Sequence, residues 1–357
     1  MSERTELLWD AGGANLDALA EATGKIDIFR GIGFGDLEPM RAKGLVHAHV
    51  RVPGTGAILR IPRLSSVGLE PEPNLYYQEA CFSRASVSGH TPKILDKIAP
   101  CKGIPWGALV ISEIEGSTPI LPNDLQAIAD ALAAIHSLPV PFNGSRPPIP
   151  SHDDPISRTF SVIEEQSKFF DKAGVDPAAR SQLDEELEKA RRFSEEVTNA
   201  NLPVTLVGTD THPGNFLIGT DGRATFVDLE KMLYGLPAID LAHATVYTST
   251  MWDPDVATDL GNAEVAEFYG HYFSAIPEIL RAQIIPWCAP IRRFTWLRTM
   301  TWCGKWRVQS RNGAAWSVTQ NDPTYIQAVR RRIDDYFLPE TIERVRTGFD
   351  SAPIIDN

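Results

Sequence analysis

The chain has 357 residues, 34 Lys and Arg against 46 Asp and Glu, a formal net charge of -12 and 43% hydrophobic residues. This acidic balance gives no general attraction to nucleic acid or anionic membrane, and the length exceeds that of most single-core domains, so two lobes sharing a cleft are expected. The four cysteines, Cys81, Cys101, Cys288 and Cys303, make no C-x-x-C pair, and neither the N-terminus nor any internal run is apolar over the length of a signal segment or membrane span, so a cytoplasmic protein without disulfides or structural zinc is expected.

In chain order, residues 45–63 alternate with period two: Val46, Ala48, Val50 and Val52 share a face, Pro53-Gly54-Thr55-Gly56 turns, and Ala57 to Pro62 returns. This predicts an antiparallel hairpin. A Pro- and Glu-rich connection leads into a helix over 74–84, and Gly107 to Ser112 reads as an apolar strand, after which the lobe boundary is placed. Leu125, Ile128, Leu132 and Ile135 recur at helical spacing between Asp124 and Leu138, with Asn123 as the candidate cap. Residues 155–200 read as helical, with the charged run from Asp184 to Lys189 as a solvated face, and from about residue 238 helix follows helix. Strands early and helices late describe an α+β enzyme of two lobes with its active site in the cleft between them. The G-x-x-x-x-G-K-[ST] string of P-loop enzymes is absent.

Between the two halves lie Gly208-Thr-Asp-Thr-His-Pro-Gly-Asn215 and Phe226-Val-Asp-Leu-Glu230, joined through two short apolar strands and a Gly219-Thr-Asp-Gly222 turn. Phosphoryl transfer needs an aligned hydroxyl and neutralised phosphate charge. Asp210 suits the first task as general base. Asn215 and Asp228 suit the second as hard oxygen ligands for Mg²⁺, and Glu230 is a candidate assisting ligand.

These segments resemble those of the aminoglycoside phosphotransferase and choline kinase family, whose strings run close to L-V-H-G-D-x-H-P-x-N, I-D-W/F-E and G-x-P-x-x-D-L-A. Here they read Leu206-Val-Gly-Thr-Asp210-Thr-His-Pro-Gly-Asn215, Val227-Asp-Leu-Glu230 and Gly235-Leu-Pro-Ala-Ile-Asp240-Leu-Ala242, with Gly208 where the family has His. The resemblance extends over roughly residues 26–245. It implies a protein-kinase-like fold with a small antiparallel-sheet lobe over residues 1–112, which binds nucleotide, and a larger, mainly helical catalytic and substrate-binding lobe over 113–357. It also implies Mg²⁺ as cofactor, ATP or GTP as co-substrate and a small-molecule hydroxyl acceptor, with neither nucleic acid nor membrane as partner.

The same resemblance assigns Arg60 to the phosphates, Glu79 to an ion pair with Arg60, and Gly31 and Gly33 to a phosphate-covering loop within Arg30 to Asp36. Glu113 and Ile114, at the lobe boundary, complete the nucleotide-contacting set. Asp240 is expected to anchor the catalytic loop and His136 to pack or brace. A second reading is a nucleotide-binding pseudokinase serving as a regulatory module; a protein kinase is disfavoured because no activation segment with A-P-E follows Asp228.

Two later stretches bear on the acceptor. Asp253, Asp255, Asp259, Glu264 and Glu267 could attract a cation or form a charged surface. Arg292, Arg293, Arg298, Lys305, Arg307 and Arg311 are interleaved with Trp296, Trp302, Trp306 and Trp316, which reads either as a core seam or as a face for a partly apolar or anionic acceptor. No feature of the sequence sets the oligomeric state.

Overall fold

A computed structural model describes residues 14–40, 46–198, 200–311 and 323–351. The chain divides into two compact units, residues up to Gly116 with Thr225–Lys231, and Ser117–Ala224 with the residues from Met232 onward. The seven residues 225–231 thus belong with the early strands, although they lie far along the chain.

The first unit comprises α1 (Leu16–Thr23), β1 (Glu38–Pro39), β2 (His47–Val52), β3 (Ala57–Pro62), α2 (Pro71–Ala85), β4 (Ile94–Ile98) and β5 (Ala108–Ser112). The strands form one antiparallel sheet in the order β1-β2-β3-β5-β4. The predicted hairpin is β2 and β3, with His47 opposite Pro62 and Val52 opposite Ala57. Gly54 and Gly56 in its turn adopt φ of 76° and 67°, a region that only glycine enters without steric cost. Strand alternation turns Ala48, Val50, Val52, Leu59 and Ile61 toward Leu16, Leu19 and Ala20 of α1 in a single apolar core. A fully buried side chain there, such as Leu59, contributes about 2 kcal/mol.

The second unit begins with α3 (Leu125–His136), α4 (Pro155–Ser167), α5 (Phe170–Ala173) and α6 (Pro177–Glu196). Short strands follow, β6 (Thr205–Val207), β7 (Phe216–Gly219), β8 (Ala224–Phe226), where the chain passes into the first unit, and β9 (Leu233–Gly235). The rest is helical: α7 (Ala238–Thr245), α8 (Tyr247–Thr250), α9 (Asn262–Ala275), α10 (Glu278–Arg311), α11 (Pro323–Tyr336) and α12 (Pro339–Asp350). β6 and β9 pair antiparallel, Leu206 opposite Tyr234, and the expected turn closes with Gly219 N–H on Arg223 O at 2.9 Å. Among the described residues no helix is long and apolar enough to cross a membrane.

Two sequence expectations change here. The side chain of Asn123 does not cap α3; Asp124 is the N-cap residue and its carboxylate instead accepts the Ile120 N–H at 2.6 Å. The charged run on α6 is only partly solvated: Glu186 is 1% exposed and accepts from Arg293 at 2.5 Å and Arg346 at 3.0 Å. A buried carboxylate requires such partners, and both lie more than a hundred residues further along the chain.

Candidate active site

In the first unit, the face of β2 and β3 turned away from α1 carries His47, His49 and Arg60, with His49 opposite Arg60. α2 covers it. The Arg60 guanidinium lies 5.5 Å from the Phe82 ring centroid, and His47 Nε2 is 3.1 Å from Gln78 Oε1. Arg60 is 2% exposed and donates from Nη2 to Asp228 Oδ1. A buried guanidinium needs an anionic partner, and Asp228 supplies it. Asp228 itself keeps 30% of its side chain exposed.

Leu229, between Asp228 and Glu230, is fully buried. Glu230 is 3% exposed; its Oε1 accepts from Ser66 Oγ at 2.7 Å. Its Oε2 lies 3.1 Å from His47 Nδ1, near enough for attraction although off the direction of a full hydrogen bond. Burial, reinforced by the neighbouring Asp228 carboxylate, pushes Glu230 up to about 7, and burial with the Arg60 charge holds His47 well below its ordinary value. His47, Asp228 and Glu230 present ligand-type atoms all within 4.8 Å of one another.

The expected Arg60–Glu79 ion pair is not formed. Glu79 Oε2 instead takes Lys97 Nζ at 2.6 Å, on the more exposed side of α2. Successive residues of a helix are turned by about 100°, so facing Gln78 toward the sheet carries Glu79 away from it. Gly31 and Gly33 lie ahead of β1, between single turns at Asp27–Phe29 and Phe34–Asp36. The Gly33 N–H, the kind of donor a phosphate-covering loop would offer, is held by Asp36 Oδ2 at 2.8 Å. Residues 41–45, between β1 and β2, lie outside the described residues. Glu113 accepts from Arg51 Nε at 2.6 Å and its N–H donates to Gly56 O at 2.7 Å, while Ile114 is half-buried.

In the second unit, the loop after β6 is held from α7. Asp240, fully buried, accepts the backbone N–H of Gly208 on Oδ2 and of Thr209 on Oδ1, each at 2.7 Å. The Thr211 hydroxyl donates to Asp240 O at 2.8 Å. Behind Asp240, His136 of α3 meets Oδ2 with Nε2 at 3.1 Å and the Tyr272 hydroxyl with Nδ1 at 2.8 Å. The Asp240 carboxylate thus braces the loop through the backbone amides of Gly208 and Thr209. Thr209 is the one non-glycine among the described residues with positive φ, 60°, a strained conformation that the double anchor sustains.

Asp210 follows directly. Asn215 Nδ2 donates to Asp210 O at 2.7 Å, which commits the amide nitrogen and leaves Oδ1 as its hard oxygen donor. Asn215 in this unit and the partly exposed Asp228 in the first each carry an oxygen donor of the hard kind. The loop packs closely: a Cβ on Gly214 would stand 2.7 Å from Asp253 Cβ.

Arg298 of α10 donates from Nη1 to Gln166 Oε1 at 3.1 Å and lies within electrostatic range of Asp210; burial lowers its affinity for the proton and the carboxylate opposes that. One helical turn on, Trp302 stacks with Trp306 at 6.5 Å and meets Trp252 edge-on at 5.6 Å. Trp306 and Trp296 are buried, while Arg292, Arg293 and Arg307 are engaged by Thr245, Glu186 and Asp334, as a core seam requires. Trp316 lies outside the described residues. Of the acidic stretch, Asp259 pairs with Arg344 and Glu264 accepts the Gly261 N–H.

Residues 47–276 match the model of a family described as the phosphotransferase enzyme family. Among curated proteins none matches the sequence. Solved structures similar to the chain include a choline/ethanolamine kinase family protein from Mesorhizobium loti, 19% identical over 93% of this chain and 99% of that one, with a TM-score of 0.58. Choline kinase from Cryptosporidium parvum Iowa II is 14% identical over 91% and 97% of the two chains, with a TM-score of 0.54. The GDP complex of aminoglycoside 2'-phosphotransferase-IIIa is 12% identical over 84% and 92%, with a TM-score of 0.51.

Proposed function

Since the chain belongs to the phosphotransferase enzyme family and is a small-molecule kinase with an α+β, protein-kinase-like fold, we propose that it moves the γ-phosphoryl group of ATP or GTP to a hydroxyl of a small molecule. In this reading residues 1–112 form the nucleotide-binding lobe and 113–357 the catalytic and acceptor-binding lobe. Asp210 is the base, Asn215 and Asp228 hold Mg²⁺, and Arg60 binds phosphate.

The observation that carries the reading is the anchored loop: Asp240 holds the amides of Gly208 and Thr209, and Asn215 holds the Asp210 carbonyl. Such fixing places a carboxylate in advance of the substrate, which is where most of the rate enhancement of phosphoryl transfer arises. The Asp210 carboxylate accepts a hydrogen bond from the acceptor hydroxyl. As the acceptor oxygen bonds to the γ-phosphorus and the bridging P–O bond to the β-phosphate breaks, Asp210 takes the hydroxyl proton and the nucleoside diphosphate leaves. Arg60, a planar fork on a rigid strand, is suited to phosphate oxygens. Mg²⁺, when bound, supplies neutralisation of the phosphate charge.

The test is nucleotide consumption with ATP and with GTP, dependent on Mg²⁺ and on an acceptor. The panel begins with choline, ethanolamine and aminoglycosides, which figure in the names of the similar structures, and extends to sugars and hydroxy acids. Asp210→Ala is expected to bind nucleotide and to lose about 10²- to 10⁴-fold in turnover. Undiminished turnover in that variant would overturn the role of Asp210. Nucleotide binding without transfer to any acceptor, together with a stable protein partner, would favour the pseudokinase reading, which Gly208 and the loosely matching Gly-rich loop support.

A further inference from the structure

The segment that carries Asp228 is gripped by residues to which neither the motif nor the family match assigns a task. Glu230 accepts from Ser66 and lies 3.1 Å from His47; His47, 5% exposed at the start of β2, meets Gln78 of α2 at 3.1 Å; Gln78 is 1% exposed. Ser66 and His47, the latter backed by Gln78, come from separate stretches of the first unit, and the first two meet one carboxylate two residues beyond Asp228. Meanwhile Glu79 faces Lys97 and Arg60 faces Asp228, so no ion pair ties α2 to β3 through these two residues.

Resting on the reading of Asp228 as a metal ligand, we infer that His47 is a positioning residue for phosphoryl transfer: with Gln78 and Glu230 it forms a buried strut that fixes the Asp228 segment against α2, and Glu230 is the anchor of that segment rather than a ligand to the metal. The strut does for α2 what an Arg60–Glu79 pair would do. It leaves Arg60 available to alternate between Asp228 and a phosphate. The alternative occupant of the same three side chains is a second cation, and the two cases separate cleanly, because an amide at 230 can keep the contact to Ser66 but is a far poorer ligand than a carboxylate.

The experiment measures Mn²⁺ binding by electron paramagnetic resonance, with a non-hydrolysable ATP analogue present, together with kcat and nucleotide KM. The proteins are wild type, Glu230→Gln, His47→Phe, Gln78→Leu and the His47/Gln78 double variant. Glu230→Gln is expected to bind Mn²⁺ within about threefold of wild type, whereas His47→Phe and Gln78→Leu each lose on the order of tenfold in Mn²⁺ affinity and in kcat, as removal of a ligand-orienting contact does. The double variant should be no worse than the weaker single one, since both changes break one strut. A tenfold or greater loss of Mn²⁺ affinity in Glu230→Gln, additive losses in the double variant, or wild-type behaviour of His47→Phe would each overturn the inference. Gln78→Leu, close in size to the original, carries the comparison if Phe at position 47 does not fold. Turnover surviving in Asp210→Ala would count against the kinase reading alone, because the Mn²⁺ arms report on the strut without it.

Discussion

Asp240 Oδ1 accepts the backbone N–H of Thr209 at 2.7 Å, directly before the residue assigned as base and at a non-glycine residue in the left-handed region. Its other oxygen takes Gly208 N–H, also at 2.7 Å, and meets His136. In Asp240→Asn one of these acceptors becomes an N–H donor facing an N–H. Leaving a buried donor unsatisfied costs about 1–3 kcal/mol, and a small displacement of the following carboxylate costs about 10²-fold in turnover. Urea denaturation and kcat measured on the same preparation check both values; unchanged kcat in a destabilised variant would separate the anchor from the chemistry.

Arg60 and Glu79, expected as partners, should behave as strangers. Glu79 pairs with Lys97 with 28% and 46% of the two side chains exposed, and such a pair contributes about 0–1 kcal/mol. Glu79→Ala is therefore expected to keep kcat and nucleotide KM within about twofold, in line with that small energy. Arg60→Ala strips the charge beside Asp228 and removes a phosphate donor, a loss on the order of 10²- to 10³-fold in turnover. Arg60→Lys should lie between the two, since it keeps the charge without the fork. Steady-state kinetics of the three variants decide the matter.

The sequence motifs were legible because loop chemistry is local. Asp210, Asn215 and Asp228 stand at spacings that the Gly219 turn makes sense of, and the Asp240 anchor follows from its place at the start of α7. Strand alternation on β2 and β3 likewise emerged from Val50 and Leu59 on one face. The polar partners on the other face did not. His47 and Ser66 reach Glu230, and Gln78 reaches His47, only after the sheet is built, and nothing at 78 distinguishes an inward Gln from a solvated one. Glu79 against Gln78 is a one-residue question of helix phase, which the weakly amphipathic α2 leaves undecided in sequence. Glu186 hides in a charged run for the same reason: its partners Arg293 and Arg346 belong to helices whose packing a local pattern does not contain.

In the first unit two buried groups respond to acid in opposite directions, His49 and Glu230. His49 is held down to about 3 by burial, with Arg60 and Arg63 adding to it, and His47 is lowered too. Below the ordinary histidine value the unfolded chain takes up a proton at position 49 that the folded protein refuses, which costs about 1.4 kcal/mol per unit as pH drops from about 6.5 toward 3, whereas Glu230, pushed up to about 7, binds its proton first in the folded protein and offsets this loss until its ordinary value of 4.5 is reached. Above about 6.5 the His49 contribution is constant. Melting temperatures measured at pH 7.5 and 5.5 should change less favourably on acidification in the wild type than in His49→Asn, which has no proton to take up. An equally steep slope in the variant would remove His49 from the account.

Gly214 gives the sharpest steric test of the second unit. Its backbone is in an ordinary conformation, so the requirement for glycine is space: an added methyl would stand 2.7 Å from both Asp253 Cβ and Oδ2. The carboxylate oxygen can rotate away but Asp253 Cβ cannot, so the loop or the 253 turn must move. Gly214→Ala is expected to cost about 1–3 kcal/mol as overpacking, and to lower kcat more than nucleotide affinity, because Asn215 is the next residue. Adding Asp253→Gly removes the obstructing Cβ and should restore much of both. A double variant as impaired as Gly214→Ala would mean that the glycine serves the loop's motion or its backbone freedom instead of its close approach to residue 253.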